Sequence, residues 1–409
     1  MFTTSKERMT EKITAFSKFG AVEGGGITRL SLSKPALEAR AEFNRRADVL
    51  GMNVVSDDIG NIYATLPGSD PEAKRIVVGS HADSVRFGGN YDGIYGVLAG
   101  LEAVETVVTE NIPHRHPFTV MIWTNEEGAR FEPAMMSSGI VLGKFEKEKM
   151  LAVKETGGNV TFGDALKASE WIGNEKNRLN KNDYCAYFEP HIEQGPVLEE
   201  EGLEIGVVGG VVGMVNYDII LDGVASHAGT TPQTYRKDAL RAASKIVSDL
   251  WEKLGAIDPE LVFTMGEIFC KPNIHTIVPA QIKFSLDARH RDMGILDQVV
   301  AVIKGLPEDV YGCKLSYEEH WGRKTIEFDT QLLDFVEEAT KGLGYSNKRM
   351  YSGAGHDAQY VSEMLPAVMI FIPTKDGLSH TVVEYSSPDQ TWHGANVLLN
   401  AMLKADEVL

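Results

Sequence analysis

Three things are scarce in this 409-residue chain: cysteine, long apolar runs and positive charge. The three cysteines, Cys185, Cys270 and Cys313, are far apart and odd in number. They suggest neither a disulfide framework nor a CxxC metal site. No apolar run approaches the ~18 residues that read as a membrane span. Forty Lys plus Arg against 58 Asp plus Glu leave a net charge of −18. That is the wrong sign for phosphate backbones or anionic membrane surfaces, so neither a nucleic-acid nor a membrane partner is expected. The segment from Met1 to Ala15 carries Lys6, Glu7, Arg8, Glu11 and Lys12. It lacks the apolar core of a signal peptide, and the expected location is the cytoplasm.

What is present is an alternation of strand, loop and helix. Lys34 to Leu50 reads as a helix with Pro35 near its start. Short strands follow at Met52–Val55 and Asn61–Leu66, then a β-branched run at Ile76–Ser80, a Gly-rich loop and a helix from Gly96 to Val108. Thr119–Thr124 and Ala367–Ile372 read as further buried strands, with helices at Thr330–Gly342 and Gly394–Val408. This is the pattern of an α/β sheet. The middle differs: strands at Asp218–Gly223, Leu261–Phe269 and Gln281–Leu286 surround a helix at Lys237–Leu254. One α/β domain, 1–207 and 324–409, interrupted by a smaller α+β domain, 208–323, is expected.

Chemistry in such sheets gathers in loops beyond the carboxyl ends of strands. Four segments there carry unusual polar residues: Gly79-Ser80-His81-Ala82-Asp83-Ser84, Gly88-Gly89-Asn90-Tyr91-Asp92-Gly93, Thr124-Asn125-Glu126-Glu127-Gly128 and Gly377-Leu378-Ser379-His380-Thr381. A fifth, Glu189 to Gly195, precedes a Gly/Val-rich stretch. Imidazoles and carboxylates on neighbouring strand ends suit a pair of borderline divalent ions such as Zn, Mn, Co or Ni. One Asp can bridge two such ions, and of two adjacent glutamates one can bind metal while the other faces the attacking water. Single histidines and Glu-Glu pairs are common on solvated faces; it is the repetition after buried strands that carries the reading. His114-Arg115-His116 reads as a solvated loop, His290, His320 and His393 have no identifiable partners, and Trp123 reads as packing.

His81-Ala82-Asp83, Asp92-Gly93, Glu126-Glu127-Gly128 and Ser379-His380 together resemble the M20-type di-metal hydrolases. His191-Ile192-Glu193-Gln194-Gly195-Pro196, Ser226-His227-Ala228-Gly229-Thr230-Thr231-Pro232, Leu286-Asp287-Ala288-Arg289-His290 and Ser352-Gly353-Ala354-Gly355-His356-Asp357 resemble one branch. That branch holds the N-carbamoyl-L-amino acid hydrolases, allantoate amidohydrolases and β-ureidopropionases. The likeness runs from about Gly26 to the end.

The resemblance implies an aminopeptidase-like catalytic domain, with a mixed central sheet flanked by helices, and a ferredoxin-like lid or dimerisation domain. It implies two divalent ions: His81, Asp92 and His191 would hold one, and Asp92, Glu127 and His380 the other. Glu126 would be general base and then general acid, and Asp83 would orient His81. Gln194, His227, Thr276, Arg289 and the backbone at Gly355 would contact a small substrate with a free carboxylate. His227 would also stabilise the oxyanion. Arg289 suits the carboxylate because its planar fork binds one bidentately. Closure of the two domains would exclude water.

The family usually places Asn two residues before the Val-Pro pair ahead of the arginine strand; here Thr276 stands there, before Val278-Pro279. The reaction implied is hydrolysis of the carbamoyl C–N bond of an N-carbamoyl-L-amino acid. Allantoate or β-ureidopropionate hydrolysis and aminoacylase or dipeptidase activity are the alternatives, and a homodimer is the implied assembly. A metal-free binding scaffold would be marked by loss of a ligand or of Glu126, and none is lost.

Overall fold

A computed structural model describes residues 1–409. The chain divides into two compact units, Met1–Gly210 with Glu327–Leu409, and Val211–Ile326.

The first unit is built on a mixed sheet whose strands lie in the order Asn53–Ser56, Ile62–Leu66, Phe118–Trp123, Arg75–His81, Tyr184–Ile192, Ala367–Ile372 and Ile205–Val211. The four middle strands are mutually parallel, and the neighbours flanking them pair antiparallel. All six residues of Phe118–Trp123 and of Ala367–Ile372 are buried, as expected of strands covered on both faces. The helix Ile94–Thr109 is apolar almost all round and lies in the same core as Val78, Val120, Phe188 and Ile370. The final helix, Pro388–Val408, opens with a capping box between Ser387 and Gln390 and adds Val397, Leu398 and Met402 to that core. The unit is thus the expected α/β fold, a central mixed sheet flanked by helices.

Two of the seven strands just named were not anticipated. Tyr184–Ile192 contains Glu189, Pro190 and His191, and Ile205–Val211 is diluted by glycine. Both are buried throughout nearly their whole length, so tertiary packing overrode weak local propensity.

The second unit carries an antiparallel sheet in the order Ile268–Lys271, Gln281–His290, Gly213–Asp222, Cys313–Arg323 and Asp309–Val310. Alternate residues along Gln281–His290 are buried, so one face of the sheet holds the core. Against that face lie the helices Ala239–Gly255, through Ile246, Leu250 and Leu254, and Met293–Lys304, through Leu296, Val299 and Ile303. The second helix was not foreseen, and the strand expected over Leu261–Phe269 is split into Val262–Thr264 and Ile268–Lys271.

Candidate active site

The loops that follow the four parallel strands converge at the carboxyl ends of those strands. His81 ends its strand, Glu126 and Glu127 lie three and four residues beyond Trp123, His191 is the penultimate residue of its strand, and Ser379-His380 follow Ile372. Asp92 sits just before the helix Ile94–Thr109. The helix can begin there because Gly93 takes φ +66°; a Cβ at that position would lie 2.3 Å from the His81 ring.

Two groups of potential ligand atoms result, His81, Asp92 and His191, and Asp92, Glu127 and His380, each with its atoms within 4.8 Å of one another. Asp92 belongs to both and divides its oxygens between them. Its Oδ1 lies 3.2 Å from His191 Nε2 and 3.8 Å from His81 Nε2, while its Oδ2 lies 2.9 Å from His380 Nε2. Glu127 Oε2 is 3.6 Å from the same His380 nitrogen, and its buried Oε1 has no hydrogen-bond partner.

The imidazoles are oriented as ligands. Nδ1–H of His81 donates to the main-chain carbonyl of Asp83 at 3.0 Å, and Nδ1–H of His191 donates to that of Ile192 at 2.9 Å. A carbonyl only accepts, so in the neutral ring the lone pair sits on Nε2, which faces Asp92. His191 Nε2 in addition accepts the Gly93 N–H at 3.2 Å. Lone pairs facing a carboxylate call for a cation between them, and the donor set of imidazole and carboxylate fits a divalent metal pair. The electrostatics express the same demand. Burial would push the Asp92 carboxyl up, but in the metal-free protein protonated His191 and His380 take the cation's place, and their hydrogen bonds hold it well below the usual carboxylate range. Asp92 in turn raises His380, and it outweighs burial to raise His191.

Glu126 belongs to neither group. Its Oε2 is 3.7 Å from His81 Nε2, it is 8% exposed, and its carboxyl is pushed well above the ordinary range by burial and then by the charges of Asp357, Glu127, Asp83 and Asp92. Asp83 holds His81 through its main-chain oxygen; its carboxylate, 3.9 Å from His81 Nδ1, accepts the N–H groups of Glu126 and Glu127 at 3.3 Å instead. Asp83 therefore joins two of the site loops. Two buried arginines border this acidic cluster. Arg29 donates to the Ala82 carbonyl at 2.6 Å, and Arg40 donates to the Gly60 carbonyl and the Thr124 hydroxyl at 2.7 Å. Burial draws both guanidiniums down to about 10, against the opposing pull of Asp83.

Gln194 is drawn into the site, with Nε2 donating to Asp92 Oδ2 at 3.1 Å and lying 3.4 Å from His380 Nε2. Asn125, Gln194 and His380 all take positive φ, near +60°, a sparsely populated region for residues other than glycine that tends to cluster at functional sites. Gly355 lies in the turn between the strand Asn347–Ser352 and the helix Asp357–Val361. The three remaining candidates belong to the second unit. His227 pairs with Ile277, and the Ala228 N–H donates to the Thr276 carbonyl at 2.9 Å, so His227 and Thr276 are neighbours. His227 is exposed, and its Nδ1 accepts the Gly229 N–H at 3.0 Å; the neutral ring then keeps its proton on Nε2 as a donor. Arg289 donates through Nε and Nη2 to the Asp287 carboxylate at 2.8 and 3.2 Å.

One buried polar residue near the site, Glu384, escaped sequence reasoning, and Glu189, His356 and Asp357, quoted there only within motifs, prove to be buried and hydrogen-bonded. Glu384, 3% exposed, accepts the N–H groups of Tyr91 and Asp92 and the hydroxyl of Ser379. Glu189 accepts from Ser80, Tyr187 and the Ala358 N–H at 2.8, 3.0 and 2.9 Å. His356, its ring 4.5 Å from that of His191, is hydrogen-bonded to Ser352 at 2.9 Å, and Asp357 to Ser138. The only sequence signal for Glu384 was polarity inside the apolar run Val382-Val383-Glu384-Tyr385. His116, read as solvated, is 2% exposed with Nδ1 2.5 Å from the Lys74 carbonyl. The histidines without evident partners have them: Asp258 for His290 at 3.5 Å, Asp218 for His320 at 2.8 Å and Glu204 for His393 at 3.1 Å. Trp123 is packed inside the sheet as expected, fully buried.

Residues 77–404 match the profile of peptidase family M20/M25/M40. The chain is 36% identical to an N-carbamoyl-L-amino-acid amidohydrolase of Rhizobium meliloti over 408 residues, covering 98% of this chain and 97% of the relative. It is 32% identical to an allantoate amidohydrolase of Bacillus subtilis (strain 168) over 403 residues, again 98% and 97%. A crystal structure of an amidase of the hydantoinase/carbamoylase family from Burkholderia multivorans superposes with a TM-score of 0.91 at 37% identity, covering 98% of each chain. The chain belongs to the M20/M25/M40 peptidase family, within its hydantoinase/carbamoylase group of amidohydrolases.

Proposed function

We propose that this amidohydrolase cleaves the ureido C–N bond of N-carbamoyl-L-amino acids, giving the L-amino acid, ammonia and carbon dioxide. The observation that carries the reading is the Asp92 carboxylate, one oxygen turned to His81 and His191 and the other to His380, with the non-ligand Glu126 beside them. Two divalent ions held by His81, Asp92 and His191 and by Asp92, Glu127 and His380 would polarise the carbonyl and bring the acidity of water towards neutrality. Zn, Mn, Co and Ni all suit these donors.

Glu126, held basic by its neighbours, takes the proton of the attacking water and then delivers it to the departing amino nitrogen. Carbamate leaves and breaks down to ammonia and carbon dioxide. Asp83 fixes the spacing of the His81 and Glu126 loops. His227 donates its Nε2–H to the oxyanion, and Arg289, aimed by Asp287, binds the substrate carboxylate. Gln194, Thr276 and the backbone at Gly355 complete the substrate contacts. We also place the enzyme in the cytoplasm as a homodimer, which sedimentation of the purified protein tests.

The second reading is allantoate hydrolysis, supported by the 32% identity over 403 residues to the allantoate amidohydrolase of Bacillus subtilis (strain 168). The test is a panel of N-carbamoyl-L-amino acids, allantoate, β-ureidopropionate and N-acyl amino acids, assayed after chelation and refilling with each metal. Ammonia release strongest with carbamoyl amino acids is the expected result. Preference for allantoate or N-acyl amino acids would replace the reading.

A further inference from the structure

Glu384 takes no part in either ligand group or in the chemistry proposed above, yet it touches two of the three loops that supply the second group. Its Oε1 accepts the main-chain N–H of Tyr91 at 3.0 Å and of Asp92 at 3.1 Å. Its Oε2 accepts the hydroxyl of Ser379 at 2.8 Å, one residue before His380. The Ser379 oxygen also lies 3.3 Å from Asp92 Oδ2. The carboxylate is therefore fully engaged, at 3% exposure. The turn that carries Asp92 is moulded on it: a Cβ on Gly89 would stand 2.1 Å from Glu384 Oε1, so any other residue there would displace the carboxylate.

His380 needs such an anchor. It is exposed, sits at φ +57° and belongs to a loop rather than to a strand, unlike His81 and His191, which the sheet itself holds. We propose that Glu384 is a positioning residue for the second metal, a bracket that fixes the Asp92 and His380 loops at ligand spacing. The inference rests on the dinuclear reading above. Glu384 reaches neither His81 nor His191; it touches the first ligand group only through the shared Asp92, but the second through both Asp92 and the His380 loop, so its effect falls mainly on the second ion.

The variants Glu384→Ala, Glu384→Asp and Glu384→Gln separate this role from a merely structural one. Each purified protein is stripped with chelator and titrated with Mn(II) or Zn(II) against a chromophoric competitor, and the melting temperature of the metal-free form is recorded. Wild type should bind two equivalents; binding fewer would sink the dinuclear reading and not the bracket. In Glu384→Ala one equivalent should weaken about 10- to 100-fold, the range for loss of a group that orients a ligand, while the other, held also by the strand residues His81 and His191, should weaken clearly less. Glu384→Asp, shorter by one methylene, should behave likewise and carries the test should the alanine variant not fold.

Glu384→Gln should restore the second equivalent. Its amide oxygen can accept both N–H groups, and its amide nitrogen can donate to Ser379, whose hydroxyl is then released towards Asp92. Two wild-type equivalents in the alanine and aspartate variants, whatever happens to the melting temperature, would overturn the proposal. A glutamine variant as weak as alanine would overturn it too, because the bracket depends on hydrogen bonds that glutamine can make.

Discussion

Glu126→Gln is the most demanding perturbation of the proposed chemistry, because the structure gives it three outcomes of different sign. Glutamine keeps the size of the side chain, and Glu126 belongs to neither ligand group, so two equivalents of metal should still bind. Turnover should fall by about 10²- to 10⁴-fold, the usual contribution of a general acid–base. At about 1.36 kcal/mol per tenfold, that is a barrier rise of roughly 2.7–5.4 kcal/mol. Stability should move the other way. Burial and then Asp357, Glu127, Asp83 and Asp92 raise the folded-state value of Glu126 above its ordinary 4.5. Above that pH the folded, metal-free protein binds more protons than the unfolded chain, so its stability declines as pH rises through the folded value. Glutamine removes this contribution. The metal-free variant should be the more stable at neutral pH and show a shallower decline.

The assay is ammonia release at saturating N-carbamoyl amino acid with metal content measured on the same sample, and urea unfolding of the metal-free forms from about pH 5 to 8, the range in which protein stability usually peaks. Turnover within tenfold of wild type would refute the assignment of Glu126 as base. Loss of activity together with loss of one metal would make Glu126 a ligand instead.

Three further outcomes are expected. Arg289→Ala should lower kcat/KM for carboxylate-bearing substrates by about 10- to 150-fold, from roughly 1.5–3 kcal/mol for a charge-assisted hydrogen bond, and leave uncharged amides nearly unaffected; an equal loss on both would argue against a carboxylate clamp. Gly93→Ala forces a Cβ to within 2.3 Å of the His81 ring at φ +66°. It should cost on the order of 1–3 kcal/mol in unfolding free energy and weaken metal binding; a variant with wild-type affinity would show that the turn yields without moving His81. Refilling the stripped protein at about 100 times the dissociation constant should raise stability by about 2.7 kcal/mol for each independent site, and a denaturation midpoint indifferent to metal would contradict ligand groups formed only in the folded state.

Much of the catalytic unit was legible because its central strands are short, β-branched and buried. Ile76–Ser80 and Ala367–Ile372 announce themselves, and Thr330–Gly342 carries a clear helical period. Tyr184–Ile192 was illegible as a strand for the reason that makes it useful. Glu189 and His191 are polar residues on an almost wholly buried strand, tolerated because Ser80, Ala358 and Asp92 satisfy them from elsewhere in the chain and Tyr187 from the same strand. Those partners are more than a hundred residues away for Ser80 and Ala358, beyond the reach of any local pattern. His116 failed in the same way, since its polar neighbours suggested solvent while the Lys74 carbonyl and the Asp406 carboxylate hold it inside.

The sequence alone determined which side chains stand immediately beyond which strands, because alternation, β-branching and loop composition are local properties that survive reading in one dimension. It also determined the chemical types available there, imidazole and carboxylate in company. Only the tertiary structure decided that Asp92 turns one oxygen to each ligand group, that His81 is held by a main-chain carbonyl rather than by the Asp83 carboxylate, and that Glu384 ties two ligand loops together. Those facts depend on the parallel pairing of four strands from distant parts of the chain, and on lone-pair directions that exist only once the strands are side by side.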